Sequence, residues 1–468
     1  MSYGTNNLKN CFYNHELEVF DYMDSFFDTE HLQRTYFKMA FPVMLGLVVT
    51  LIYNLADTYF IARTNNTNLI AGVSLCAPVF TILMAFGNIY GQGGSSLLSR
   101  MLGKNDIESV SRVSSFCFYI SLITGFILTI LMLFFRQSLL SLLGANFDTL
   151  PYAINYYTVL VIAAPIIVLS FIHSNLVRCI GMASESMFGT VLGALVNIVL
   201  DPVLISAFNM GATGAAIATV IGYLVSVIYF LVLLQKKNHC LSIKPSDFHV
   251  VRTELQQILG VGITAALSNL MQSLCVIVIN QFLLSYGNDK IAAMGIVLKI
   301  NMIAQLILTG FAFGGVPLFG YLYGADKHKE LKKLVYFCMS FLSLLSIALT
   351  IILYFFASSL MSIFLKDSLL IHIGSEMLQW QVITTIFVGL ILLITVLFQA
   401  TGKIIPAFIL SISRQGIIFI IILFISAKFY AYKGIVKAQA LADIFSAAVA
   451  FILLLQYNPI SVKHKHQK

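Results

Sequence analysis

Charge is what this sequence has least of. Asp, Glu, Lys and Arg make up 10% of 468 residues, against 59% hydrophobic residues and a mean hydropathy of +0.90. A soluble domain carries about 25% charged residues, so this chain cannot cover a water-facing surface. Metal and disulfide chemistry are also poorly supplied. The seven cysteines (Cys11, Cys76, Cys117, Cys179, Cys240, Cys275 and Cys338) are odd in number, scattered and without a CxxC pair, which excludes a disulfide framework and a cysteine metal site. HExxH, GxSxG and GxxxxGK[ST] do not occur, so neither zinc-protease chemistry, a nucleophile elbow nor ATP hydrolysis is expected, and the chain reads as no enzyme. The segment 1–34 lacks a cationic n-region and a small-residue cleavage site and instead holds Glu16, Glu18, Asp21, Asp24, Asp28 and Glu30. It reads as a lead-in on the cytoplasmic side, not a signal peptide. The net charge of +8 comes without a basic stripe interleaved with aromatics, which excludes nucleic acid as a partner.

Long apolar runs are present instead. They cover approximately 37–62, 69–98, 113–135, 152–178, 185–208 and 213–234, then 257–285, 291–322, 335–363, 374–400, 404–427 and 434–456. A bilayer-spanning helix needs about 20 apolar residues. The fold class expected is therefore all-α integral membrane, with about twelve transmembrane helices, numbered here as spans 1 to 12. Lys and Arg concentrate in alternate connections: Arg100, Lys104 and Arg112; Arg178; Lys236, Lys237, Lys244 and Arg252; Lys327, Lys329, Lys332 and Lys333; Lys403; and the tail Lys463, Lys465 and Lys468. The positive-inside bias places these connections and both termini in the cytoplasm. The division expected is an N-terminal segment 1–34, an N-lobe 35–234, a cytoplasmic linker 235–256, a C-lobe 257–456 and a tail 457–468.

The two halves read as copies. Gly72 and the run to Gly91 recur in the second half as Gly295 and the run to Gly314, and each half follows with a small polar loop, SRMLGKNDIESVSR in one and GYLYGADKHKELKK in the other. Six helices per copy give both copies the same orientation. Parallel repeats of this kind place a substrate site between the halves and permit alternating access.

The copies differ in their acids. Span 1 carries Asp57 where span 7 has Asn280, and span 5 carries Asp201 where span 11 is apolar near Ile422. A charge at bilayer depth costs at least about 2.5–3.5 kcal/mol, so it normally faces the bundle interior and marks function. A bland reading stands beside this one: Asp57 lies near the end of its helix, and Asp201 precedes Pro202 and could mark a helix exit. Tyr53 with Asp57, and Asn197 with Asp201, are four residues apart and share a helix face. Such oxygens suit sodium or a hydrogen-bonded proton, and two neighbouring buried carboxylates can hold a proton and release it when a cation arrives. Gln272, Asn280, Asn301 and Asp443 are candidates for lining the cavity, although polar glue between helices is the commoner role of such residues. Asp443 could instead contact Lys299; Lys299 and Arg414 either pair within the bundle or snorkel.

Several stretches in order carry a family resemblance: Asn54-Leu-Ala-Asp57-Thr-Tyr-Phe-Ile with Ala71-Gly72; Gly91-Gln-Gly-Gly94 with Ser99-Arg100 and Gly103; Asn197-Ile-Val-Leu-Asp201-Pro202; Gly211-Ala-Thr-Gly-Ala-Ala-Ile-Ala218-Thr219; and Gln399-Ala-Thr-Gly402. From about residue 35 to 456 the chain resembles the multidrug and toxic-compound extrusion (MATE) family, in its MepA-like bacterial branch. The resemblance implies two lobes around a V-shaped cavity and multidrug efflux by antiport of cationic, amphipathic drugs against H⁺ or Na⁺. It further implies a monomer in the lipid of a bacterial plasma membrane, with no cofactor beyond Na⁺ as a coupling ion. It assigns ion binding to Asp57, Asn197, Asp201 and Thr219, with Tyr53 and Asn175 nearby. The branch of the family with acidic residues in helices 7 and 10 is not matched, since span 7 has Asn269, Gln272 and Asn280. A lipid-linked oligosaccharide flippase of the same superfamily is the alternative reading.

Overall fold

The structure, a computed structural model, describes residues 27–237 and 240–459. The acidic lead-in up to residue 26, with Cys11, and the basic tail from 460 lie outside the described residues. Its helices are α1 (Leu32–Ala62), α2 (Thr67–Ser74), α3 (Ala77–Gly103), α4 (Ile107–Phe134), α5 (Arg136–Leu142), α6 (Leu150–Ile162), α7 (Ala164–Cys179), α8 (Ala183–Asp201) and α9 (Gly211–Lys237). The second half holds α10 (Arg252–Leu284), α11 (Asn288–Gly314), α12 (Val316–Gly324), α13 (His328–Phe355), α14 (Ala357–Phe364), α15 (Ser368–Val382), α16 (Thr385–Ala400), α17 (Ile404–Ile412) and α18 (Ile418–Tyr457). Asn66, Asp106 and Asp367 cap α2, α4 and α15 through side-chain oxygens that accept backbone N–H groups, satisfying donors that the first turn leaves free.

Nine stretches are long and apolar enough to cross a membrane, and two bent pairs, α6 with α7 (55°) and α15 with α16 (41°), bring the number to eleven. The 54-residue stretch Ile404–Tyr457 would reach about 80 Å as one straight helix, far beyond a hydrocarbon core of about 30 Å. It reverses at Ala431, whose φ of 49° and ψ of −131° leave the helical region, and a Cβ on Gly434 would meet the Ser426 carbonyl. Counting two spans there gives twelve among the described residues, as the apolar runs lead one to expect. The run 335–363 is interrupted: α13 ends at Phe355, and α14 starts at Ala357 as a separate short helix.

Side chains such as Ile130, Phe134, Leu344 and Phe355 are largely exposed on the periphery, an apolar exterior that fits lipid and not water. Two further helices are broken by chemistry. Pro202 ends α8, because proline lacks the N–H that would donate back to the Ile198 carbonyl, and the chain continues through a π-turn at Pro202–Ala207. A second π-turn, Ser413–Ile417, joins α17 to α18, with Gly416 outside helical φ/ψ.

The halves meet along α1, α3, α10, α11 and α12. Tyr36 in α1 donates its hydroxyl to the Phe311 carbonyl in α11 (2.8 Å) and packs edge-on against Phe337 and Phe341. Helices α3 and α10 touch backbone to backbone: a Cβ at Gly262 would lie against the Ile89 carbonyl, and one at Gly93 against the Ile258 carbonyl. Between the halves, residues 240–251 run along α4. There Ser111, Ser115 and Tyr119 donate to the carbonyls of Cys240, Lys244 and Ile243 (2.9, 2.7 and 2.9 Å), and Arg112 pairs with Glu254 at 2.7 Å.

Gly262→Val should therefore force α3 and α10 apart, costing about 1–3 kcal/mol as overpacking does. Gly295, with nothing within 4 Å of a Cβ, is the control. Thermal denaturation in detergent should show a lowered midpoint for Gly262→Val and none for Gly295→Ala; equal midpoints would contradict the close seam.

Candidate functional site

The N-terminal half gathers its acids. Asp57 lies in the last two turns of α1, with its Oδ1 buried and unpartnered. Asp201 is the last residue of α8 and is fully buried, and the chain continues from it through the π-turn Pro202–Ala207, part of which is exposed. Asn197, one turn earlier, donates from Nδ2 to Asp201 Oδ1 (3.4 Å) and to Thr219 Oγ1 of α9 (3.5 Å). Both contacts are long. Tyr156 of α6 faces Asp57, Asp201 and Thr219, and Tyr53, one turn before Asp57, faces Tyr223 of α9, Tyr156 and Asp57. Four spans thus converge on two carboxylates that are in electrostatic contact with each other.

No cation stands against them. Among the described residues the ion pairs are His31–Asp28, Arg112–Glu254, His328–Asp326 and Arg414–Asp443, and none touches this group. Three buried oxygens, Asp57 Oδ1, Asn197 Oδ1 and Asp201 Oδ2, have no hydrogen-bond partner. A buried acceptor without a donor is costly, so these atoms are arranged for something that brings positive charge or a proton. The donor set is all hard oxygen, which fits Na⁺ or H⁺ and not a soft metal.

Of the residues expected at this site, Tyr53, Asp57, Asn197, Asp201 and Thr219 come together. Asn175 does not join them. Its amide donates to the Phe171 carbonyl (2.7 Å), and its side chain lines a small chamber with Gln92, Ser95 and Gln399. Tyr156 and Tyr223 were not singled out by sequence. Tyr223 had a signal, since it lies one helical turn after Thr219 and shares its helix face; Tyr156 had none.

The cavity candidates divide. Gln272 is exposed and Asn280 half-buried, with Asn280 Oδ1 unpartnered. Asn301 is buried with its Oδ1 likewise unpartnered. Asp443 is 1% exposed and belongs to the interior of the second lobe, not to a cavity wall. It accepts from Arg414 Nε, Thr384 Oγ1 and Gln439 Nε2, each at 3.0 Å. Lys299 is exposed and takes no part. Arg414 sits on the π-turn and Thr384 at the bend between α15 and α16, so Asp443 ties together the two interrupted spans of that lobe.

A duplicated, all-helical bundle with broken spans and unneutralised interior acids defines a membrane transporter. A family model described as MatE matches residues 42–203 and again 264–425, once in each half. The chain belongs to the MatE family. It is 30% identical over 438 residues to the multidrug export protein MepA of Staphylococcus haemolyticus, covering 93% of this chain and 96% of that one. It is 28% identical over 429 residues to MepA of Staphylococcus aureus, with 92% and 95% covered. Among solved structures, it superposes on an outward-facing multidrug resistance MATE transporter of the MOP superfamily with a TM-score of 0.85 and 25% identity, over 91% of this chain and 96% of that one. It matches a MATE in the bent conformation with a TM-score of 0.84 and 25% identity, over 92% and 99%. The relatives are transporters and not enzymes.

Asp443→Asn leaves Arg414 buried without its anion, which is expected to cost about 3–5 kcal/mol. Replacing both partners by apolar residues, Arg414→Met with Asp443→Leu, should recover most of that. Thermal unfolding in detergent reads both; a single variant as stable as the wild type would show that the pair is not what holds the broken spans.

Proposed function

We propose that this chain is a secondary active multidrug exporter that moves cationic, amphipathic organic compounds out of the cell in exchange for H⁺ or Na⁺. The observation that carries the reading is the group of three unpartnered buried oxygens on Asp57, Asn197 and Asp201. The carboxylates, with Asn197 and Thr219, hold the coupling ion, and Tyr53 and Tyr156 face them and limit the access of water. Cargo that is itself cationic competes for the same negative field, so ion and drug exclude one another and exchange follows. Alternating access arises as the lobes, 35–234 and 257–456, rock about their seam while the linker 235–256 keeps them tethered. The protein works as a monomer in a bacterial plasma membrane, with both termini cytoplasmic. The names of the MepA relatives support export of many drugs; the charge of the site supports the cationic class.

The flippase alternative requires cavity cations that face an anionic pyrophosphate. Arg414 is committed to Asp443, Lys299 is exposed, and Arg100 and Arg178 lie in the seam between the lobes, so none of these cations stands beside the buried acids of the first lobe. The drug reading is favoured on that ground.

Proteoliposomes carrying an imposed H⁺ gradient, or separately an imposed Na⁺ gradient, should move ethidium against its own gradient with one of the two ions. Transport with neither ion, together with complementation of a flippase-deficient strain, would replace the proposal by the alternative. Asp201→Asn should reduce gradient-driven ethidium movement to that of protein-free vesicles while the protein remains monodisperse. Thr219→Ala removes one neutral oxygen and should weaken the apparent ion affinity by about 10-fold. Undiminished efflux in Asp201→Asn would take that residue out of the mechanism.

A further inference from the structure

We infer that Arg100 and Arg178 form an electrostatic barrier in the lobe seam that keeps cations from leaking past the exchange site. The inference rests on the reading of the chain as a cation-coupled exporter whose Arg100 end faces the cytoplasm.

Arg100 closes α3 and Arg178 closes α7, both within the first lobe. Each lies where the second lobe is pressed against the first. Ser96 Oγ donates to the Gln399 carbonyl across the seam, and a Cβ on Gly103 would meet the Tyr321 carbonyl. Arg100 donates from Nε to the Ser96 carbonyl of its own helix (3.1 Å). Its guanidinium lies close against Gly402, where a Cβ would collide with Nη1, so it covers the C-terminal end of α16. Arg178 faces a chamber lined by Gln92, Ser95, Asn175 and Gln399, with a free volume of about 10 Å³. That is room for about one water molecule. The barrier requires that an ion crossing the closed seam pass this chamber.

Neither arginine has a carboxylate within 4 Å among the described residues, as the four ion pairs there involve other groups. Arg100 Nη2, Arg178 Nε and the side-chain Oε1 of Gln92 are buried without hydrogen-bond partners. Two half-buried cations without a carboxylate partner are an expensive arrangement if the purpose is only to hold the lobes together. Serine and asparagine pairs would do that at lower cost. The arrangement suits a different requirement. A carrier that spends an ion gradient must stop the ion from passing alone, and fixed positive charge in a narrow, low-dielectric passage repels Na⁺, hydronium and cationic cargo alike. Packing excludes large solutes; charge is needed against small ones.

The test uses the full-length protein in proteoliposomes without cargo, following the collapse of an imposed H⁺ or Na⁺ gradient and, in parallel, chloride flux. Arg178→Gln is expected to raise cargo-independent cation flux by about tenfold, the size of the field from one charge about 10 Å away at an effective dielectric near 20. Chloride flux should rise little. Arg178→Lys keeps the charge and should keep the barrier. Gln92→Glu leaves the arginine in place but sets a carboxylate on the same chamber wall, so it should leak as Arg178→Gln does. If Arg178→Gln is poorly folded, Gln92→Glu decides the matter alone. Neutralised variants that hold the gradient as the wild type does, or that leak chloride as readily as cations, would overturn the barrier. A wild type that holds its gradient but does not exchange ions for ethidium, beside a leaky Gln92→Glu, would preserve the barrier and remove the antiport reading.

Discussion

A carboxylate inside a bilayer must be neutralised, and the two lobes meet that demand in opposite ways. In the second lobe Asp443 is surrounded by its own donors, Arg414, Thr384 and Gln439, and the group is complete without anything from outside. In the first lobe Asp57 and Asp201 share an interior with an amide and hydroxyls but no cation, and three oxygens remain without donors. Burial of uncompensated charge costs several kcal/mol per group, so the group in the first lobe is the costlier of the two. One lobe carries a fixed counter-ion. The other carries none among the described residues.

The interruptions of the helices follow from this chemistry. Pro202 stops α8 immediately after Asp201, which holds the carboxylate at a helix end inside the bundle, with the chain looping on through a π-turn. The second lobe has its π-turn at Ser413–Ile417 and its bend at Thr384, and both contribute side chains to Asp443. In hydrocarbon an irregular backbone is tolerated only where other protein groups or a cavity satisfy it. The polar clusters therefore sit where the helices break, and each lobe's cluster draws on spans at equivalent places in the repeat.

The sequence was informative where periodicity and bilayer physics act alone. Twelve apolar runs, the repeat and the two acids of the first lobe needed no tertiary knowledge, because span length and charge cost are properties of single segments. Partners across helices were harder. Asn197 and Tyr53 were found because each lies one helical turn from an acid on the same helix, whereas Tyr156 approaches from another span with no spacing rule to announce it. Asn175 was placed with the acids by resemblance, yet it faces the seam chamber, since the face it presents depends on the 55° bend between α6 and α7. Asp443 invited a cavity role as a lone acid; its pairing with Arg414, which sits on a different span, is a tertiary fact.

Coupling requires that ion occupancy favour one arrangement of the lobes over another, and a ligand shifts such an equilibrium only through contacts that differ between the states. Helix α1 can supply that difference. Near one end it carries Tyr53 and Asp57. Near the other, about 30 Å away by helix rise, Tyr36 bonds the Phe311 carbonyl, and Ala40 and Met44 lie against the backbone of α11 at Gly314 and Gly310. Pro42 lies between these two ends and removes one backbone hydrogen bond from the helix, so α1 joins the Asp57 end to the seam through a point at which it can bend. One helix thus carries both an acid of the first lobe and the close contact with the second.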